Sequence, residues 1–139
     1  MATPTKFNQY VADVHNGVHN LGGNALMVAL LASANAPVVT KQVLADLVQI
    51  NYANLSSRAI TVRSSLQVSG TYNLILEDLS LSATGPVATF RYVVIYNDTP
   101  TSPTDPLICY IDNGADVTMG SGDVFLIDLS QVSGLIQGT

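Results

Sequence analysis

The chain is short of cysteine, tryptophan and charge, and each shortage excludes something. Cys109 is the only cysteine, so no intrachain disulfide staples the fold. It sits inside a strand-like run without a recognisable His or Asn partner motif, and reads as a small buried hydrophobe instead of a nucleophile. Tryptophan is absent, and Tyr and Phe make up only 6% of the residues. A carbohydrate-binding or small-ligand groove, which favours exposed aromatic side chains, therefore has little to draw on. Charged residues are 11% of the chain, against about 25% in ordinary soluble domains. Past Arg91 there is no Lys or Arg, while six of the ten carboxylates fall there: Asp98, Asp105, Asp112, Asp116, Asp123 and Asp128. With a net charge of -5, phosphate neutralisation is not available, so nucleic acid is not an expected partner. Asp is also common in turns, where most of these residues fall.

Mean hydropathy is +0.33, yet no apolar run is long enough to span a bilayer, so a membrane is not an expected partner either. The longest candidate runs from Ala25 to Ala34. The N-terminus lacks a basic start, apolar block and cleavage site, so no secretory leader is expected. For this reason Asn54-Leu55-Ser56 and Asn97-Asp98-Thr99, which fit the glycosylation pattern, carry no weight. The length suits one domain spanning 1–139, able to bury roughly two thirds of its unfolded surface.

What the chain does have is apolar strand-like runs. Phe90 to Tyr96, Leu107 to Ile111 and Val124 to Leu129 are rich in β-branched, aromatic and aliphatic residues and are cut by Asn, Asp, Thr, Pro and Gly clusters. They are nearly continuous instead of alternating, so they need cover on both faces, from the chain itself or from another subunit. Few charges favour association, although a Ser/Thr/Asn-rich monomer surface is the alternative.

Met1 to Thr5 reads as an arm. Phe7, Val11, Val14, Val18 and Leu21 then form one stripe, widened by Tyr10, which predicts a helix over 6–21 with Thr3-Pro4 at its start and Gly22-Gly23 at its end. These six residues are the candidate interface, facing the sheet or a sister subunit. His15 and His19 lie four apart on this helix, a spacing able to hold a metal, but no further His or adjacent Glu supports it. They read as polar residues flanking the stripe. Ala25 to Leu31, within Asn24 to Ala34, reads as a fully buried strand, with a helix the alternative for so many Ala and Leu, and a helical turn falls within Gln42 to Leu47. Half-exposed strand pattern runs from Ala59 to Val68. Tyr72, Leu74 and Leu76 share one parity and Leu79, Leu81 and Ala83 the other, so the strand must bulge or turn at Glu77-Asp78. Asp112-Asn113-Gly114 reads as a tight turn before a short edge strand over Val117 to Met119. The segment only faintly suggests a calcium loop, since the spacing and closing Glu are missing. One more edge strand is possible near Leu135 and Ile136.

These signals predict a mainly β domain: an antiparallel two-sheet sandwich, jelly-roll-like, of about seven or eight strands with one N-terminal amphipathic helix. There is no phosphate loop, nucleophile elbow or zinc motif, so no catalytic residue, metal or cofactor is expected and the chain does not read as an enzyme.

Six stretches carry a resemblance: Lys6-Phe7-Asn8, Val18-His19-Asn20-Leu21-Gly22, Leu26-Met27-Val28-Ala29-Leu30, Val43-Leu44-Ala45-Asp46-Leu47, the run Phe90 to Thr99, and Asp105-Pro106-Leu107-Ile108. Together they resemble a group of small structural proteins of tailed-bacteriophage virions, over nearly the whole chain. Where members of the group carry an aromatic-rich strand after the last landmark, this chain has Cys109-Tyr110-Ile111. The resemblance implies a virion component of many copies, closest to a capsid cement (decoration) protein. It would be a homotrimer on the capsid surface, assembled in the host cytoplasm, with itself and the major capsid protein as partners. A tail or neck component, and a ligand-binding sandwich, are the alternative expectations.

Overall fold

The computed structural model describes residues 3–130 and 132. Among the described residues the chain is mainly β. In order it forms β1 (Thr5–Lys6), α1 (Asn8–His15), β2 (Leu26–Leu31), 3₁₀ turns at Ser33–Asn35 and Leu44–Asp46, β3 (Ala59–Ile60), β4 (Val62–Val68), β5 (Thr71–Leu76), β6 (Leu79–Ser82), β7 (Val87–Asn97), β8 (Leu107–Met119) and β9 (Val124–Ile127). Every strand pairing is antiparallel.

The run Phe90 to Tyr96 lies in β7, the middle strand of a five-stranded sheet ordered β1-β8-β7-β2-β3. Its two side-chain parities part into two cores, as the period of a strand requires. Val93 and Ile95, with Leu26, Val28 and Leu30 of β2, enter a large cluster that also takes Leu74 and Leu76 of β5, Leu81 of β6 and Ile127 of β9. Val94 and Tyr96, with Ala29 and Leu31, enter a second cluster with Phe7, Leu44 and Leu107. The chain itself therefore covers the second face of the sheet. Phe7 and the segment around Leu44 are fastened there by backbone hydrogen bonds from Phe7 N to Ile108 O, Asn8 N to Val39 O, Leu44 N to Asp105 O and Leu107 N to Gln42 O.

The helix is shorter than the stripe predicts. It runs over Asn8–His15 instead of 6–21. Thr5 and Lys6 do not lead into it but pair with Tyr110 and Cys109 of β8. Gly17, at φ +77°, ends it. Gly17 N donates to Val14 O at 3.2 Å and Val18 N to Asp13 O at 2.9 Å, the paired closing bonds of a helix terminated by a left-handed residue. The stripe continued past this stop because apolar spacing alone does not register a glycine that leaves the helical region. Gly22, expected to end the helix, serves close approach instead: a Cβ there would lie 2.7 Å from Ser65 Cβ.

The slip at Glu77-Asp78 is a change of partner. β5 pairs with β4 and β6 pairs with β9, while Leu79, Leu81 and Ala83 still turn toward the large core. Asp112-Asn113-Gly114, by contrast, is not a strand-ending turn. β8 continues to Met119 without a break, and Val117 to Met119 belongs to it instead of forming a separate edge strand. Tyr92 pairs with Asp112 and Phe90 with Val117, so the additional residues of β8 form a bulge. Gly114 takes φ +84° there, and its N–H donates to Asp112 Oδ1 at 2.8 Å. Arg91 of β7 grips the same carboxylate with both Nε (2.8 Å) and a terminal guanidinium nitrogen (3.1 Å). The suggested edge strand at Leu135 and Ile136 lies outside the described residues.

Candidate functional site

The six stripe residues part company in three dimensions. Phe7, Tyr10 and Leu21 are buried in the chain's own cores. Val18 is half-buried, and Val11 and Val14 stand exposed on α1. The helix thus uses one side of its stripe for its own fold and leaves two valines to solvent.

A cleft of about 300 Å³ opens between α1, the connection from α1 to β2, and the β4–β5 hairpin. Tyr10, Val14, His19, Leu21, Ser65 and Tyr72 line it with Asn20. Ser65 and Tyr72 share a hydroxyl–hydroxyl hydrogen bond of 2.7 Å. Burial, followed by the neighbouring Cys109 and Tyr72, pushes the Tyr10 hydroxyl well above its ordinary value. Among the described residues none of the lining side chains is a carboxylate, Lys or Arg, so these residues offer apolar and polar contacts.

His19 does not sit one helical turn from His15. The helix ends between them, leaving His15 exposed in its last turn while the His19 ring lies half-buried against Tyr10, with centroids 5.1 Å apart. The one-face pairing expected from their spacing therefore does not form. Among the described residues no group of three or more His, Cys, Asp or Glu side chains is placed to hold a metal.

His19 belongs instead to a buried amide network. Asn97, fully buried at the end of β7, brings its Nδ2 within 3.1 Å of His19 Nδ1 and donates to Asn24 Oδ1 at 2.8 Å. Asn97 Oδ1 accepts from Thr99 N at 3.2 Å, and Asn24 Oδ1 accepts from Asn20 N at 2.8 Å. Burial lowers the His19 pKa from 6.5, partly opposed by Asp13. Asp13 is itself buried, with Oδ1 accepting from Gln9 Nε2 at 3.1 Å; its Oδ2 and His19 Nε2 are both buried without a hydrogen-bond partner among the described residues. The sequence reading missed Asn97, Asn24 and Asp13. One signal was present: Asn97 and Thr99 have the side chain-to-backbone spacing of an Asx turn, but the same triplet reads as a glycosylation pattern.

Two uncharged apolar rows face outward. On the hairpin, Leu66, Val68 and Ile75 are exposed, opposite Asn73, Thr71 and Ser64. On β9, Val124 and Leu126 are exposed, opposite Ser82 and Ser80 of β6. Among the described residues β4 and β5 pair only with each other as a two-stranded sheet. Cys109 is wholly buried, and burial pushes its thiol up to about 12, so it offers no thiolate near neutrality.

Comparison with protein-family models, with curated proteins and with solved structures finds no match to this chain.

Proposed function

We propose that this chain is a non-enzymatic structural subunit of a tailed-bacteriophage virion, a cement protein that acts as a homotrimer bridging copies of the major capsid protein on the head surface. The observation that carries an assembly role is the pair of outward apolar rows, Leu66, Val68 and Ile75 on the hairpin and Val124 and Leu126 on β9, with no charge among their cross-strand partners. The virion setting rests on the sequence resemblance. Solvent leaves these rows uncovered, and burying each such side chain against a partner contributes roughly 1.5–3 kcal/mol. The hairpin packs its inner face, with Leu74 and Leu76, on the large core but pairs with no third strand among the described residues, so its outer face gains most from being covered. In the same reading the five-stranded sheet and the two smaller sheets form a two-layer sandwich around the large core they share, with a jelly-roll-like course. Each trimer would bury about 1,600 Å² or more per contact, repeated over the shell.

The test is co-sedimentation with heads stripped of their outer proteins, with isolated tails as control and light scattering to count subunits. The expected result is a trimer that binds heads saturably and raises their heat resistance. The triple variant Leu66→Ser, Val68→Thr and Ile75→Thr should keep its circular dichroism and lose that binding. Binding to tails alone, or assembly into rings or tubes without head binding, would replace the cement reading by a tail or neck role.

A further inference from the structure

Hydrogen-bond logic fixes the protonation state of His19. A backbone N–H only donates, so the Thr99 amide identifies the Asn97 atom it meets as oxygen, and the Asn20 amide does the same for Asn24. Asn97 then presents its NH₂ to the other two partners. One hydrogen goes to Asn24 Oδ1 and the other faces His19 Nδ1, which must accept it. The imidazole is therefore neutral and carries its proton on Nε2. Neither Asn can be reversed without setting donor against donor or acceptor against acceptor. Asn97 is fully buried, so water does not compensate a mismatch.

We infer that this node is an acid-sensitive latch: protonating His19 at Nδ1 sets two donors against each other and releases the connection between α1 and β2 from the end of β7. That connection is otherwise held there by hydrogen bonds from Ala25 N to Thr99 Oγ1 and from Asp98 N to Ala25 O, both 2.8 Å. It also supplies His19, Asn20 and Leu21 to the cleft, so release opens one wall of that cleft. The groups around the ring have different effects. Asp13 on α1 favours the imidazolium, and burial opposes it more strongly. Tyr10 of α1 and Tyr72 of β5 share the cleft with the ring, and Asp98 follows Asn97 at the exposed end of β7. The sign follows from the lowered folded-state value. Above 6.5 the node contributes its full stability, and this is lost as pH falls from 6.5 through the folded-state pKa. In that window the unfolded or opened form binds the proton that the closed form refuses.

The test is amide hydrogen exchange between about pH 7.5 and about pH 5, scaled to each amide's intrinsic rate, with NMR of the imidazole nitrogens. Protection at Ala25, Asp98 and Thr99 should fall below pH 6.5, approaching about tenfold per pH unit, while the β7–β8 amides hold. Asn places its side-chain oxygen where the ring places Nδ1, so His19→Asn keeps the acceptor without the titration and should abolish the pH response. His15→Gln should leave it intact. The nitrogen spectrum of the unaltered protein at neutral pH should show the Nε2–H tautomer, a reading that does not depend on the variants folding. An Nδ1–H tautomer, protection unchanged to pH 5, an equal loss in the β7–β8 amides, or the same response in His19→Asn would each overturn the latch.

Discussion

Phe7 gives the sharpest test of how the second sheet face is closed. As a stripe residue it was a candidate for contact with another subunit. In the structure it is 0% exposed, packs in one cluster with Leu31, Val94 and Leu107, and meets the Tyr110 ring at 5.5 Å between centroids. Phe7→Ala removes a whole buried ring. If the site collapses only partly, the cost is about 3–5 kcal/mol. That is a large share of the roughly 5–15 kcal/mol that holds a domain folded. For a chain of this size it corresponds to a fall in Tm of about 10–20 °C. Val11, 47% exposed on the neighbouring helix, is the matched control. Val11→Ser should stay within about 0.5 kcal/mol. Urea unfolding followed by circular dichroism at several protein concentrations measures both. A Phe7→Ala cost below about 1 kcal/mol, or one that appears only at concentrations where the chain self-associates, would refute the assignment of Phe7 to this chain's own core.

Three further predictions concern backbone and thiol. At Gly17 an added Cβ meets nothing within 4 Å, so Gly17→Ala should cost only the left-handed conformation, about 1 kcal/mol by denaturant melt. At Gly22 the obstacle is Ser65 Cβ, so Gly22→Ala should cost more and be partly rescued by Ser65→Gly, whereas an additive double variant would contradict the close packing. Cys109 should resist a thiol reagent in the folded protein and react promptly in denaturant, because its sulfur is both buried and protonated.

The cleft and the amide network were largely illegible beforehand. In the sequence Tyr10 and Leu21 stand out as apolar stripe positions, and His19 by its spacing from His15. Nothing in local pattern joined them to Ser65 and Tyr72, or to Asn97 far along the chain. A buried amide network has no sequence period. Its members are chosen by where backbone donors end up, and the polar residues concerned look like loop residues until they are brought together.

By itself the sequence determined the alternations and the punctuation. Those follow from short-range physics: the two-residue period of a strand, the steric freedom of glycine and the turn preferences of Asn, Asp and Pro. Hence the strand character of 26–31 and 90–96, the parity change at 77–78, and the need to cover both faces of the central strand were all readable. Only the tertiary structure decided what meets what. Leu79 pairs with Ile127, Thr5 pairs with Tyr110, and Phe7 rather than a neighbouring subunit closes the second face. At Asp112 β8 runs on through a bulge, and Arg91 of the neighbouring strand holds its carboxylate there. Such choices depend on side chains distant in sequence competing for the same buried volume, and a local pattern carries no record of which competitor wins.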